Sequence, residues 1–159
     1  MSKASKILKM WRRLERRPGG RWLFSRAVGW QAPYFSTIRP AVRVLAPGSC
    51  EVGMDKRRAV TNHIGSVHAI AMCNLAELAG GLMTDATVMP DYRWISKGMT
   101  VEYRAIAKTD LIAHARPRDA DAPLTANADY PVVVDVRDSA SQVVLHAEIT
   151  MWLSRPKSG

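Results

Sequence analysis

The chain has 159 residues, a length that suits one domain with a hydrophobic core of its own. Hydrophobic residues make up 47% and charged residues 23% of it, and no apolar run approaches the roughly 18 residues needed to cross a bilayer, so we expect a soluble protein. The net charge of +9 predicts attraction to an anionic partner, but it does not choose between nucleic acid, an acidic membrane surface and a phosphorylated ligand or carrier.

The two cysteines, Cys50 and Cys73, are too few to form a disulfide framework. They have no metal-binding spacing with each other or with the four histidines, so we predict no metal and no resident cofactor. A reducing cytoplasm is the expected location.

The first 26 residues are strongly basic, with nine lysines and arginines against one acid, Glu15. Apolar residues recur among them at helical spacing and predict an amphipathic helix over 3–16 that ends before Pro18. This helix could bind an anionic membrane or a carrier through residues 1–17, but we favour a helix that lies on the domain with its arginines in water. A second helix is predicted from Trp22 to Trp30, closed by Pro33.

Strand-like alternation follows. Segments 39–46 and 50–56 flank Pro47-Gly48 and predict a hairpin. A long helix is predicted over 66–83, and four further strands over 94–107, 110–116, 130–136 and 143–153, with 116–129 as the longest loop.

The predicted long helix contains one acidic residue, Glu77. Nearly all its other side chains are apolar or small, so we expect the helix to be buried on all sides. A carboxylate in such a place costs several kcal/mol unless it is paired or neutralised, which makes Glu77 a candidate functional residue. The alternative is a salt-bridged or partly exposed glutamate.

These elements predict an α+β fold in which a curved antiparallel sheet is wrapped around one long central helix. The expected order is hairpin, buried helix and a four-strand meander. We expect a single domain over 1–159, with an N-terminal helical extension (1–35) and a core (36–159).

The entry to the helix resembles that of the hotdog-fold thioesterases of the 4-hydroxybenzoyl-CoA and phenylacetic-acid-degradation type. Asn62, Gly65 and His68 hold the positions of the family's Asn-loop-Gly-His pattern, and Glu77 follows His68 by nine residues, where the family carries its acid. The likeness covers residues from about Ile38 to the end of the chain. It implies a hotdog fold and a thioesterase site at a subunit interface, and therefore a homodimer or homotetramer.

The resemblance also implies roles. Glu77 would be nucleophile or general base, the backbone N–H of Ala69 an oxyanion donor, Asn62 an orienter of water or carbonyl, and His68 an organiser of the helix start, more plausibly a buried structural histidine than a proton shuttle. Asn62 could instead simply cap its turn. The implied substrate is a thioester of coenzyme A or of acyl carrier protein, whose phosphates or acidic surface suit the positive charge.

The candidate substrate contacts are Met72, Cys73, Gly81, Trp94 and Arg104. With Met83, Met89 and Met99, the methionines could line an apolar tunnel for an acyl chain, although core packing would use the same residues. Cys73 is one turn before Glu77 and is more plausibly a small core residue than a nucleophile.

The sequence departs from the family pattern at three places, of which the first two bear on activity and the third on a ligand contact. Ala69 and Ile70 replace a double glycine, Gly81 stands where relatives often carry Ser or Thr, and Arg104 lies outside the usual Leu-Arg-Pro context. A noncatalytic acyl-binding module is therefore the alternative to a thioesterase. A basic protein that binds nucleic acid or a membrane surface ranks last, because no aromatic-basic nucleic-acid motif is present.

Overall fold

A computed structural model describes residues 4–155. The predicted start of the first helix at residue 3 lies outside this range. The helices are α1 (Lys6–Leu14), α2 (Gly20–Gln31) and α3 (Ala69–Thr87), and short 3-10 turns span Pro33–Ile38 and Arg58–Val60. The strands are β1 (Ala41–Ala46), β2 (Ser49–Met54), β3 (Arg93–Tyr103), β4 (Leu111–Pro117), β5 (Ala128–Arg137) and β6 (Val143–Ser154). No helix among the described residues is long and apolar enough to span a membrane.

The six strands form one antiparallel sheet in the order β1-β2-β4-β5-β6-β3. Alternate side chains of the strands are buried against α3, which contacts all six strands. The helix comes close to β6, where a Cβ added to Gly80 would lie 3.0 Å from Ile149 Cδ1. The predicted arrangement of one long helix against a single antiparallel sheet is therefore confirmed.

The predicted four-strand meander is wrong in one pairing. β4, β5 and β6 are consecutive neighbours, but β3 pairs with β6 at the far edge of the sheet and β4 pairs with β2. Alternation along a segment identifies a strand, but its partner depends on contacts distant in sequence. The crossing segment 104–110 passes the start of α3, where the Ala107 carbonyl accepts a hydrogen bond from the Val67 N–H (2.8 Å).

The two N-terminal helices lie on the core. Leu8 and Trp11 of α1 are buried, and the Trp11 ring meets Phe24 of α2 edge-on with centroids 5.0 Å apart. Gly20 permits this packing because a Cβ there would lie 1.8 Å from the Leu14 carbonyl oxygen. The apolar face of α1 is therefore occupied by the domain, as the favoured interpretation required.

The hairpin and the long helix differ only in detail from prediction. Ala46 pairs with Ser49 across Pro47-Gly48, and Gly48 has φ +76°, which suits glycine at the second position of the turn. The long helix begins at Ala69 rather than 66 and continues to Thr87 rather than 83. Val67 and His68 are extended instead, because the Val67 N–H bonds to the Ala107 carbonyl and the His68 N–H bonds to the Val60 carbonyl (both 2.8 Å).

Candidate functional site

One face of α3 is open to solvent. Ile70 is 56% exposed, Cys73 is half-buried and Glu77 is exposed, and their spacing of three and four residues places them on one stripe of the helix. The prediction that α3 is buried on all sides is therefore wrong for this stripe. The sheet, the first 3-10 turn and α1 pack against the other sides of the helix.

Glu77 forms no hydrogen bond or ion pair with any residue in the described part of the chain. The expectation of a carboxylate trapped in an apolar interior is wrong for a single subunit. Its carboxylate is instead an accessible anion on an otherwise apolar stripe.

The loop before α3 is organised by Asn62. Its Oδ1 accepts hydrogen bonds from the N–H groups of Ile64 and Ser66 (both 3.1 Å), and its Nδ2 donates to Ser66 Oγ (2.8 Å). Gly65 has φ +78°, a conformation that glycine adopts without strain. Asn62 thus holds its own turn, as the simpler alternative for this residue supposed.

His68 is the N-cap of α3. Its ring Nδ1 accepts a hydrogen bond from the Ile70 N–H (3.1 Å), and its carbonyl accepts one from the Met72 N–H (3.2 Å). The side chain is exposed, so the expectation of a buried histidine is wrong, although it does order the helix start. A ring nitrogen in this position takes the place of the usual Ser, Thr, Asn or Asp oxygen.

The N–H groups of Ala69 and Ala71 have no hydrogen-bond partner within residues 4–155. Both are in the first turn of a long helix, where unpaired N–H groups and the positive end of the helix dipole favour an anion. Ala69 therefore has the free donor that an oxyanion site needs.

A cavity of about 210 Å³ opens beside this helix start. It is lined by residues of the first 3-10 turn, the segment before the Asn62 loop and the first turns of α3, namely Tyr34, Thr37, Ile38, Ala59, Val60, Thr61, His68, Ile70, Ala71 and Asn74. The cavity thus borders the same turn that carries the two free N–H groups.

Asn74, which sequence reasoning missed, forms part of this wall and is only 6% exposed. Its Nδ2 donates to Thr37 Oγ1 (3.3 Å), and the Thr37 hydroxyl donates in turn to the Tyr34 carbonyl (2.7 Å), which fixes the orientation of the Asn74 amide. The Asn74 Oδ1 is buried and has no hydrogen-bond partner among residues 4–155. A buried amide within an apolar helix is the sequence signal that could have identified it.

Cys73 contacts the edge strand. Its Sγ lies 3.3 Å from the hydroxyl of Tyr103, the last residue of β3, and this hydrogen bond is the main reason why the pKa of Tyr103 is raised. The Tyr103 hydroxyl therefore holds the Cys73 thiol in position, one turn before Glu77. In the part of the chain that the structure describes, no histidine, carboxylate or amine is hydrogen-bonded to the Cys73 thiol as a base for a cysteine nucleophile would be.

Gly81 is covered by Trp94. A Cβ at Gly81 would lie 2.8 Å from Trp94 Cη2, so the ring occupies the space that a Ser or Thr side chain would need. The indole Nε1 donates to Asp85 Oδ1 (2.8 Å). Burial raises the pKa of Asp85, and the bond from Trp94 opposes part of that effect. Asp85, which was also missed from the sequence, thus holds the Trp94 ring in place over Gly81. Gly81 is one turn after Glu77.

The remaining predicted substrate contacts, Arg104 and the methionines Met72 and Met83, lie apart from the cavity at the start of α3. Arg104 donates to Glu102 (2.8 Å) in an exposed pair that lowers the pKa of Glu102, chiefly through this hydrogen bond. Met72 and Met83 are buried in the core, and neither borders the cavity at the helix start. Within residues 4–155 no cluster of three or more His, Cys, Asp or Glu side chains could hold a metal ion.

The antiparallel sheet around a single long helix, with N-terminal helices added, is the hotdog fold, and it matches many solved thioesterase-family structures. The predicted fold and the resemblance to hotdog-fold thioesterases are both confirmed. Over residues 20–153 the sequence matches the family described as a domain of unknown function (DUF4442), and the chain belongs to that family.

Three solved structures illustrate the range of similarity. The structural-genomics protein APC5556 is 42% identical with a TM-score of 0.80, over 94% of this chain and 99% of that one. PA5026 of Pseudomonas aeruginosa, described as a protein of unknown function and probable thioesterase, is 26% identical with a TM-score of 0.74, over 85% and 96%. The thioesterase HI1161 of Haemophilus influenzae, 14% identical with a TM-score of 0.70 over 79% and 87%, shares the fold. No curated protein matches the chain.

Proposed function

We propose that the protein hydrolyses an acyl thioester of coenzyme A or of acyl carrier protein to a free acid and a thiol. Glu77 acts as nucleophile or general base, and the Ala69 N–H stabilises the oxyanion. The observation that carries this proposal is an accessible carboxylate on α3 together with an unpaired N–H at the first position of the same helix. The thioesterase names of several structural neighbours support the same chemistry.

Glu77 can hydrolyse the thioester in either of two roles, as general base or as nucleophile. As general base, the Glu77 carboxylate takes a proton from water while the water oxygen adds to the thioester carbon; the tetrahedral oxyanion then collapses, the C–S bond breaks and the thiolate is protonated. As nucleophile, the carboxylate displaces the thiolate and water hydrolyses the resulting anhydride. The Ala69 N–H assists both routes because both develop charge on the same carbonyl oxygen.

One subunit cannot bring these two groups to one substrate. Ala69 and Glu77 are eight residues apart, which is about 12 Å along a helix, whereas both groups must lie within about 3 Å of the reacting carbonyl. The site therefore combines Glu77 of one subunit with Ala69 of another, in a homodimer or a larger homo-oligomer. Covering by a second subunit would also remove water from the exposed stripe around Glu77.

The other residues support this centre in different ways. Asn62, Gly65 and His68 hold the loop and helix start that present the Ala69 N–H. Trp94 of β3 lies over Gly81, one turn after Glu77, and Tyr103 of β3 contacts Cys73, one turn before it. The cavity beside Ala71 is the space in which we place the group next to the thioester carbonyl.

The alternative is an acyl-binding module without catalysis, and one observation favours it. Trp94 covers Gly81, so no hydroxyl one turn after Glu77 can assist the water. Binding of an acyl-CoA without any release of free thiol would select this alternative.

The decisive experiment follows thiol release from a panel of acyl-CoA and acyl-carrier-protein thioesters. We expect Glu77→Gln, which preserves the side-chain volume but removes the charge, to lower kcat by about 10²-fold or more. Glu148→Gln is the matched control because Glu148 is an exposed carboxylate whose ion-pair partner is Arg118 of the loop after β4. Unchanged hydrolysis by the Glu77 variant, or equal losses in both variants, would contradict the assignment of Glu77.

A further inference from the structure

The outward face of α2 carries three large apolar side chains. Trp22 is 67% exposed, Trp30 is 86% exposed and Leu23, next to Trp22 in the sequence, is 51% exposed. The opposite face buries Phe24 and Val28 in the core. A surface helix ordinarily exposes polar side chains to water, so the packing of the domain does not explain why α2 exposes three large apolar side chains as well.

This surface continues beyond the helix. Tyr34 in the following 3-10 turn is 68% exposed, and a groove of about 780 Å³ runs between α2 and the start of β1. Trp22, Arg26, Trp30 and Arg39 are among the residues that line the groove. The Arg26 guanidinium lies 5.9 Å from the centre of the Trp22 ring, so a cation stands directly among the exposed aromatic groups.

The neighbouring charge is mostly positive: Arg21, Arg26 and Arg39 line the groove, against one acid, Asp55. From residue 4 to 26, eight basic side chains are exposed and none forms an ion pair with a residue of the described chain: Lys6, Lys9, Arg12, Arg13, Arg16, Arg17, Arg21 and Arg26. Glu15 is the only acid in the same stretch. A partner for this region must therefore be anionic as well as able to accept indole rings.

We propose that α1 and α2 form a docking surface for an anionic phospholipid membrane. Trp22, Leu23 and Trp30 insert at the level of the lipid headgroups, where amphipathic indole rings are most stable, and the surrounding lysines and arginines contact lipid phosphates. The apolar face of α1 is buried in the domain, so α1 contributes only its basic side chains to lipid binding. The apolar side chains that insert into the lipid layer belong to α2.

Two other occupants fit the surface less well. A second copy of the chain on this face would bring two groups of unpaired cations together across a two-fold axis, which is unfavourable. Nucleic acid would satisfy the cations and could stack on the indoles, but it gives no apolar environment to Leu23. The proposal does not depend on the thioesterase assignment.

The test is co-sedimentation of the whole protein with vesicles of phosphatidylcholine, with and without phosphatidylglycerol. We expect binding to the anionic vesicles only, and a decrease as salt is added because salt screens the charge term. Replacing both Trp22 and Trp30 by Ser should lower the partition coefficient about tenfold or more, and Arg26→Glu should lower it on anionic vesicles.

Two control variants lie away from the surface. Ile106→Ser removes another large apolar side chain that is 60% exposed, and Arg118→Glu makes the same charge change as Arg26→Glu in the loop after β4. Both should bind vesicles as the wild type does. Circular dichroism and melting temperature confirm that each variant is folded.

Several results would overturn the proposal. They are equal binding to neutral vesicles, retention of binding by the Trp22/Trp30 double variant, and equal losses in the control variants. A change of oligomeric mass in the Trp22/Trp30 double variant would assign the face to a second copy. Salt-sensitive binding of single-stranded DNA or of an acidic carrier protein, with no vesicle binding, would assign it to that partner instead.

Discussion

Among the described residues, the Asp135 carboxylate has the largest number of hydrogen-bonding and ion-pair partners. Its Oδ1 accepts a 2.7 Å hydrogen bond from His146 Nδ1, and Arg116 and Arg137 lie 3.8 and 3.9 Å from its Oδ2. Burial alone would raise the pKa of Asp135, but the hydrogen bond from His146 and the guanidinium groups of Arg116 and Arg137 together hold it below its ordinary value. Asp135 therefore stabilises the folded state in its charged form.

This predicts an acid-dependent loss of stability. Because the folded-state pKa is lowered, the contribution of Asp135 is complete above the unfolded value of about 3.9 and is lost as pH falls through the folded value. Asp135→Asn should lower the free energy of unfolding by about 1–2 kcal/mol at pH 7, with the two proteins converging in strong acid. Urea titrations at a series of pH values measure the difference.

Asp129→Asn is the control. Its ion pair with Lys97 is equally short, 2.7 Å, but both side chains are about half exposed, so its contribution should be close to zero. A pH-independent effect of Asp135→Asn, or equal effects of both substitutions, would contradict the proposed role.

The sequence singled out residues whose chemistry differs from that of their neighbours in the chain. Glu77 stood out as an acid among apolar residues, but its exposure depends on the side from which the sheet covers α3. Gly81 appeared as a missing hydroxyl, and only the structure shows the Trp94 ring in its place. Asn74 and Asp85 were missed because an isolated polar residue in a helix does not reveal its distant partner, here Thr37 or Trp94.

At the scale of elements, the side chain of Ser25 joins α2 to strand β1 by hydrogen bonds. The Ser25 hydroxyl donates to the Arg21 carbonyl (2.8 Å) and accepts from the buried Val42 N–H of β1 (2.9 Å). Ser25→Ala leaves that N–H without its partner, so we expect a loss of about 1–3 kcal/mol in the free energy of unfolding. The midpoint of urea unfolding, at unchanged slope, measures it.

Ser36→Ala is the matched substitution, because the Ser36 hydroxyl donates only to the Pro33 carbonyl within its own exposed turn. Its effect should remain within about 0.5 kcal/mol. If Ser25→Ala were as mild, Ser25 would not be the link between α2 and β1.

The elements themselves were largely predictable. Hydrophobic alternation and helical spacing located all three long helices and all six strands, and the hairpin turn at Pro47-Gly48 was found directly. The start of α3 was misplaced because the N–H groups of Val67 and His68 bond to the carbonyls of Ala107 and Val60, and no local pattern records these contacts. The position of β3 beside β6 was missed for the same reason.

For the whole molecule, the proposed site predicts complementation between two inactive variants. Ala69→Pro removes the oxyanion N–H at the first helical position, where proline is tolerated, and His68 already has the extended backbone that precedes proline (φ −66°, ψ 138°). Alone, this variant should lose about 10²-fold or more in kcat. Its melting temperature should stay near that of the wild type.

Mixing Ala69→Pro subunits with Glu77→Gln subunits should restore activity. Each hybrid dimer has one site with an intact Glu77 from one subunit and an intact Ala69 from the other, so a random mixture should regain about a quarter of the wild-type rate. The thiol-release assay on refolded mixtures measures it. A site built within one subunit would gain nothing from mixing, and this result would contradict the composite site.

The sequence by itself determined the local and additive properties of this protein: helical and strand periodicity, the turn residues, the basic N-terminal region and the presence of one acid in an apolar helix. Only the tertiary structure decided which stripe of α3 is open, that β3 forms an edge, that Trp94 covers Gly81 and that α2 turns two tryptophans to solvent. The physical reason is that periodicity follows from backbone geometry within a segment, whereas exposure depends on which distant surface covers each side chain.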